Sequence, residues 1–357
     1  MKFIHIADLH FDRPFVSLQG NKELSKKRKL EQKYNFRRVI EYIKEHGIEL
    51  LFISGDLFEQ KYVTDDTIQY INSCFREIPD TKIFISPGNH DPLIQSSPYN
   101  KFSWEDNVYI FGSEVGKYQI DNINIYGFAF DDYFMDRDVI SEIKVDDSMF
   151  NVLVGHCTLN GSQKKYNDVK EEQLKIFDYS AIGHIHLKKV DKSRIIYPGS
   201  LTACGFDEPG EHGMVVGEFK YDFKEKKKIV DYEFVKVDET EFERIEIDIS
   251  NINSYQELID KLNLGKNIYK IELNGTRNFD TSKFEEEVKL VNKNVCIVED
   301  NTHTKYDFKT ISKEETLKGI FVKKMLMLMD EKPEDKDKIL RSYRVSIKYY
   351  EREIICK

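Results

Sequence analysis

The sequence predicts a layered α/β domain followed by a small α+β domain and terminal helices. Three observations predict it. Short apolar runs alternate with amphipathic stretches in a β-α-β-α order at the start of the chain, a pattern that folds as a sheet with helices packed on it. Further along, strand-like runs follow one another with few helices between them, which calls for a mixed sheet or a sandwich rather than a single doubly wound unit. After Asp238 a new βαβαβ pattern starts. The 357 residues exceed one typical domain and suffice for cores that need no covalent staples.

In order, Phe3–Ala7 reads as a strand. Glu23–His46 reads as a long charged helix stopped by Gly47. Ile48–Ile53 is a buried strand, and Asp65–Arg76 a helix with Thr64 as its N-cap. Strands are expected at Lys82–Ser86, Val108–Phe111, Ile123–Phe130, Phe150–Val154 and Ser180–Ile182. Met214–Phe219 and Ile229–Val237 form a hairpin around a lysine-rich turn. In the second region Ile245, Ile247 and Ile249 alternate as a strand, followed by helix Tyr255–Leu262 and strand Ile268–Leu273. Helix Phe284–Val291 and strand Val295–Val298 complete that pattern. Two last helices, Glu314–Asp330 and Glu334–Tyr350, are separated around Pro333. The domain boundaries expected are 1–237, 238–310 and 311–357.

Charge and cysteines narrow the class. The net charge of −9 argues against a protein that coats nucleic acid by charge alone, so any such role rests on a local site, bound cations or a partner. The five cysteines (Cys74, Cys157, Cys204, Cys296, Cys356) are scattered with no CxxC pair and read as free thiols of a reducing compartment. MKFIHIADLHF has no long apolar stretch and no run approaches a membrane span, so a soluble cytoplasmic protein is expected. No GxGxxG follows the first strand and no GxxxxGK[ST] occurs.

Four short motifs gather metal-binding side chains at strand ends. Asp8-Leu9-His10 follows the first strand; on an extended chain residues i and i+2 point to one side, so carboxylate and imidazole reach one ion. Gly55-Asp56-Leu57-Phe58 follows the second, its glycine permitting a sharp turn at the sheet's edge, where ligands of open α/β sheets gather. Gly88-Asn89-His90-Asp91 follows the third, offering a neutral oxygen and a titratable imidazole. Gly155-His156 and Gly183-His184-Ile185-His186 end two later strands. A hydrogen-bonded structural histidine is the reading for His5, His46, His212 and His303. Five histidines, two aspartates and an asparagine placed together at strand ends point instead to a metal site.

D-x-H, G-D-x-x, G-N-H-D, G-H and G-H-x-H in this order resemble the calcineurin-like metallophosphoesterases. GDLF, PGNHD, AIGHIH and YPGSLTACGFDEPGEHG are most similar to the SbcD-type DNA repair exonucleases, in particular their Bacillus YhaO-like branch. The resemblance covers residues 1 to about 220 through these motifs, and the last third by position and pattern. It implies a two-sheet sandwich flanked by helices, with a small α+β capping domain after it. It implies one metal held by Asp8, His10, Asp56 and His186, and another by Asp56, Asn89, His156 and His184, with Asp56 bridging. His90 corresponds to the family residue that contacts the phosphate and assists the leaving group. Asp91 either orients His90 or caps its turn. The mixture of oxygens and imidazoles favours Mn²⁺ or Fe²⁺ over Mg²⁺. Two such ions roughly 3.5–4 Å apart clamp a phosphodiester for in-line attack by water.

Two departures stand out. Glu59 stands where the family usually has Asp, and is expected no closer than a supporting position. Arg13 stands where a smaller residue is common, and either touches a phosphate or forms a surface salt bridge. GDLFEQK lacks the D-R-G continuation of phosphoprotein phosphatases. The expected function is therefore a metal-dependent DNA exonuclease and endonuclease of a repair complex, the alternative a small-nucleotide phosphodiesterase or phosphatase, and the last a scaffold without catalysis. The Tyr197-Pro198-Gly199-Ser200 loop either presents backbone N–H groups to a phosphate or is a plain turn. Leu317, Phe321, Met325 and Leu328 form a helical stripe that packs in a core or contacts another protein. The resemblance implies DNA as substrate and an SbcC-type coiled-coil P-loop ATPase as partner, gripped by the C-terminal helices. Dimerisation would use Glu23–His46 and Asp65–Arg76. Lys164, Lys165, Lys188 and Lys189 either line a DNA path or are solvated.

Overall fold

The computed structural model describes residues 1–161, 166–304 and 308–342. They form two compact units, one of Met1–Glu243 with Lys266–Ile268, the other of the remaining residues. The first begins with β1 (Lys2–Ile6), α1 (Lys22–His46), β2 (Leu50–Ile53), α2 (Asp65–Arg76) and β3 (Lys82–Ile85). It continues through β4 (Val108–Ile110), β5 (Gly116–Ile120), β6 (Ile123–Gly127), β7 (Phe150–His156), β8 (Tyr179–Gly183) and β9 (Ile195–Ile196). The hairpin of β10 (Gly213–Asp222) and β11 (Lys227–Lys236) follows. The Asn21 side chain accepts from Leu24 N–H at the start of α1, and Gly47 ends that helix at φ 61°. Thr64 accepts from Thr67 N–H at the start of α2.

Two sheets result, one ordered β11-β10-β1-β2-β3-β4 and the other β9-β8-β7-β6-β5. Strand periodicity sorts side chains between layers. Phe3, Leu50, Phe52 and Phe84 of the first sheet meet Ile123, Ile125, Phe150, Val152, Val154, Tyr179 and Ala181 of the second in one buried core. Their neighbours Ile4, Ile6, Leu51, Ile53, Ile83 and Ile85 turn the other way, onto Phe36, Val39, Ile40 and Ile43 of α1 and Ile68, Ile71 and Phe75 of α2. A third core, including Leu153, Ile182, Phe128 and Phe177, covers the far face of the second sheet. Both faces of the central strands are buried, so they read as continuous apolar runs rather than alternating ones. The two-sheet sandwich with helices outside is the expected one. Strand β5 was not foreseen: it is an edge strand, half covered, and its GKYQI carries little apolar signal.

β1, β2 and β3 are mutually parallel, as are β7 and β8. Their C-terminal ends supply the loops described below. No helix among the described residues is long and apolar enough to cross a membrane, and the four described cysteines are free; Cys356 lies outside the described residues.

The second unit carries most of β12 (Phe242–Asp248), with α3 (Tyr255–Asp260), β13 (Ile268–Asn274), α4 (Phe284–Val291), β14 (Val295–Asp300) and α5 (Leu317–Glu331). The three strands pair in the order β12-β13-β14, and Ile249, Leu258, Ile271, Leu273, Phe284 and Val288 pack against them. Helix α5 starts at Leu317, three residues later than expected, because the Thr316 side chain caps it by accepting from Gly319 N–H. The final helix begins after a turn at Pro333–Asp335 and continues to residue 342; the part expected up to Tyr350 lies outside the described residues. Of the apolar stripe, Met325 is buried, whereas Leu317, Phe321 and Leu328 are exposed.

Candidate metal centre

Five loops meet at the ends of the parallel strands. The first two are zipped together: Asp8 N–H donates to Gly55 O, His10 N–H to Asp56 O at 2.8 Å, and Phe11 N–H to Leu57 O. This ladder holds Asp8, His10 and Asp56 in the left-handed region, at φ 52°, 47° and 52°, where side chains other than glycine are uncommon. From α1, Gln32 Nε2 donates to the carbonyls of Leu9 and His10, bracing the same turn. The i, i+2 convergence expected of an extended chain is therefore corrected: Asp8 and His10 converge because the loop coils. His184, at φ 98°, is also coiled, and its N–H donates to both oxygens of Asp8.

The glycines of the motifs make room. A Cβ on Gly88 would overlap Asp56 Oδ1, and one on Gly183 would overlap Ser54 O. Gly55 combines φ 83° with contact against the His156 ring.

The seven candidate donors face one another. His10 Nε2 and His186 Nε2 are 3.0 Å apart. His156 Nε2 and His184 Nδ1 lie 3.0 and 3.2 Å from Asn89 Oδ1. Between the two groups stands Asp56, its Oδ2 3.6 Å from His10 Nε2 and 3.4 Å from His156 Nε2. Donor atoms of Asp8, His10 and His186 cluster within 4.8 Å, as do those of Asp8, Asp56 and His156. His156 Nδ1 faces Ser54 O and His186 Nδ1 faces Glu208 Oε1 at 2.6 Å, which leaves both Nε2 atoms to look inward. Lone pairs at such separations repel unless a proton or a cation lies between them, and the mixed nitrogen and oxygen set suits a divalent transition metal.

The charges agree. Burial would raise Asp56, but His156 and His10 beside it hold its carboxyl well below the usual range. Burial would lower His156, yet Asp56 and Asp8 push it up to about 9. Burial also opposes His186, which its bond to Glu208 and the charge of Asp8 push up to about 9. His184, lowered to about 3 by burial and by His156, is neutral. Without metal, protons occupy part of the place a cation would take.

A model of the calcineurin-like phosphoesterase family matches residues 1–188. The chain belongs to the calcineurin-like phosphoesterases. Among curated relatives, this phosphoesterase is 27% identical over 266 residues to the uncharacterized metallophosphoesterase YhaO of Bacillus subtilis (strain 168), covering 68% of this chain and 64% of that one. It is 25% identical over 253 residues to the SbcD subunit of the SbcCD nuclease of Staphylococcus epidermidis, covering 58% and 63%. The aligned part thus spans a little under two thirds of each relative's length. Both relatives agree with the SbcD-type, YhaO-like character of the motifs.

The structure gives several residues of this phosphoesterase roles that the sequence left open or missed. Asp91 does not orient His90. Its buried carboxylate accepts from the N–H groups of Asp56, Leu57 and Gly88 and from the Tyr99 hydroxyl, locking the second loop to the third. Burial and the neighbouring Asp56 raise it to about 6. Glu59 is the group that meets His90, with Oε2 2.9 Å from Nδ1, and it also lies 3.8 Å from His10 Nδ1. Burial opposes ionisation of Glu59, but these two histidines bring it down to about 2. His90 is raised in turn: burial works against it, and Glu59 and Asp56 prevail. Glu208 was missed altogether; its only signal was an acidic residue within the Gly- and Pro-rich CGFDEPGEHG. It binds His186 through Oε1, and the Ser200 hydroxyl and Cys204 N–H through Oε2.

The Tyr197–Ser200 loop braces the site, since Ser200 N–H donates to His186 O and is not free for a phosphate. His5 and His212 are buried and hydrogen-bonded to Tyr179 and to Ser200, His46 stacks on Tyr42, and His303 bonds Thr276. Lys188 pairs with Glu211 and lies over the Phe234 ring. Lys164 and Lys165 lie outside the described residues. Arg13 Nη1 is buried with no hydrogen-bond partner, and among the described residues Arg13 makes no salt bridge. Its charge opposes protonation of both His90 and His186.

Proposed function

We propose that this phosphoesterase is a two-metal-dependent DNA exonuclease and endonuclease, the nuclease component of a DNA repair complex. The observation that carries the metal chemistry is the convergence of six candidate donors on two sides of Asp56, with Nδ1 of His156 and His186 tied back by Ser54 and Glu208. The DNA substrate is supported by similarity to a nuclease subunit. In this reading Asp8, His10, Asp56 and His186 hold one ion, and Asp56, Asn89, His156 and His184 the other. Mn²⁺ is the proposed ion, because four imidazoles suit it better than Mg²⁺. When bound, the ions polarise the phosphate and activate the attacking water.

The chain's own residues do the rest. His90, whose protonated form Glu59 favours, offers a proton or a hydrogen bond to the departing sugar oxygen. Glu59 aims that ring. Arg13 brings to the phosphate's charge a guanidinium whose buried Nη1 has no partner among the described residues. Asp91 keeps Asp56 and the His90 loop in register.

Residues 238–310 are proposed as a capping domain that orients DNA. The exposed Leu317, Phe321 and Leu328 on α5 are proposed to meet the coiled coil of an SbcC-type ATPase, which would also bring this acidic chain to DNA. Exposed Leu30 and Tyr34 on α1 offer an apolar face for a homodimer.

The test is cleavage of end-labelled single- and double-stranded DNA with Mn²⁺, beside His90→Asn and a chelator control. Cleavage that requires both Mn²⁺ and His90, with metal retained in the variant, supports the reading. Turnover of a small nucleotide diester with no DNA cleavage replaces it by a nucleotide phosphodiesterase.

A further inference from the structure

The hairpin of β10 and β11 carries a feature that the proposed chemistry leaves unused. β10 runs beside β1 only as far as Met1, whose carbonyl accepts from Phe219 N–H. The β10-β11 ladder continues past that point, to Asp222 opposite Lys227. The end of the hairpin is therefore a two-stranded ribbon projecting from the sheet, a structure with little stability of its own. On β10, Val215 and Phe219 belong to the core between the two sheets, and Tyr221 continues the same row beyond it. Tyr221 is 40% exposed and Phe223, in the turn, 84% exposed, with the two rings 5.1 Å apart at 69°. Two neighbouring rings in water at the tip of a ribbon forgo the burial that usually places them.

We infer that this tip is a second contact for single-stranded nucleic acid, with a base stacked on Phe223 and the phosphates around it paired with Lys224, Lys226 and Lys227. The inference rests on the nucleic-acid reading above and adds a binding site away from the metal centre. Charge and composition choose the occupant. Lys220 and Lys228 are paired with Asp231 and Asp178, whereas Lys224, Lys226 and Lys227 have no ion pair among the described residues. Asp222 turns its carboxylate onto the N–H groups of Lys224 and Glu225, which leaves Glu225 as the opposing charge in the turn. The tip, KYDFKEKKK, holds no Leu, Ile, Val or Met. A lipid surface calls for a wider apolar face, and lysine is depleted where proteins dock. Rings set among ammonium groups match the bases and phosphates of a strand. The tip and the centre lie at opposite ends of β1, since Lys2 pairs with Glu218 while Ala7 leads into Asp8. At about 3.3 Å per residue, the path from Ala7 to Lys2 and on from Glu218 to Phe223 spans roughly 30 Å. That is on the order of ten nucleotides at about 3.4 Å each, so only a longer strand touches both places.

The experiment uses the full chain and single strands of about 30 nucleotides, one of thymidines and one abasic. Phe223→Ala removes an exposed ring without opening the core. The expected result is a roughly 5- to 100-fold weaker Kd for the thymidine strand, read by anisotropy with metals chelated, and unchanged binding of the abasic strand. Phe223→Trp should restore binding where Phe223→Leu does not. Replacing Lys224, Lys226 and Lys227 together by glutamine should weaken both strands and lower the slope of log Kd against log salt by about 2. With Mn²⁺, Phe223→Ala should raise KM for the long thymidine strand and not for one of about 5 nucleotides, which cannot reach the tip while it is cut. Equal losses on thymidine and abasic strands, no loss on either, or full rescue by leucine overturn the contact. Binding of phosphatidylserine vesicles that Phe223→Ala abolishes, with strand binding unchanged, puts a lipid surface in its place and overturns it too. If the wild-type chain cuts DNA and the variants bind as it does, this inference fails alone. If it binds the long strand through Phe223 yet cuts none, the contact stands and the nuclease reading fails.

Discussion

Replacing Glu59 with glutamine removes one charge from the centre while leaving a side chain of the same size. The carboxylate sits 2.9 Å from His90 Nδ1 and is the main group holding that ring protonated. A charge-assisted hydrogen bond contributes roughly 1.5–3 kcal/mol, so its loss shifts the His90 protonation equilibrium by a factor of about 10–100. The sign follows from the raised pKa. The protonated form, and the stabilisation it brings, is present at low pH and lost as pH rises through that pKa. In Glu59→Gln the loss comes at lower pH. If His90 is the proton donor, the alkaline limb of kcat/KM moves toward acid, and activity above the limb falls about 10- to 100-fold. Near pH 5.5, where an ordinary imidazole is also protonated, wild type and variant should converge when saturated with Mn²⁺. Metal content must be measured alongside, because Glu59 also lies 3.8 Å from His10 Nδ1. Superimposable pH profiles with intact metal content would refute the assigned partnership.

Three further outcomes are expected. Gly88→Ala places a methyl group where Asp56 Oδ1 lies and against the His156 ring, so the purified variant should hold fewer than two metal ions by mass spectrometry; full occupancy would show that the loop yields. His156 and His186, both pushed up to about 9, are protonated at pH 7 without metal, so Mn²⁺ binding should expel on the order of two protons and weaken as pH falls. Calorimetry in buffers of different ionisation enthalpy reads this directly, and no proton release at pH 7 would count against these rings as ligands. Arg28 is fully buried and joins Asp238 at 2.7 Å and Ala203 O at 2.8 Å. Arg28→Ala leaves Asp238 buried without its partner and should cost about 3–5 kcal/mol in denaturant unfolding; a loss below about 1 kcal/mol would mean that water reaches the gap.

The strands and helices of the first unit were legible because their signals are local. Apolar runs such as LLFI and KIFI, the Asn21 and Thr64 caps and the Gly47 stop act within a few residues. The motif residues were legible for a related reason: paired D-x-H and G-H-x-H at strand ends concentrate donors whose chemistry is independent of the surroundings. Strand β5 was not legible, because a half-covered edge strand needs no apolar pattern.

The sequence by itself determined the layered α/β architecture, the set of candidate donors and the family-level class of chemistry. Only the tertiary structure decided which carboxylate serves which imidazole. Glu59 rather than Asp91 meets His90, and Glu208 reaches His186 from 22 residues away. It also decided how the donors converge, through left-handed turns held by the Gly55–Leu57 ladder and by Gln32 from α1. The physical reason is one of range. Propensity, capping and ligand chemistry are properties of a residue and its near neighbours, whereas burial, backbone strain and hydrogen-bond pairing depend on segments that meet only when the chain has folded.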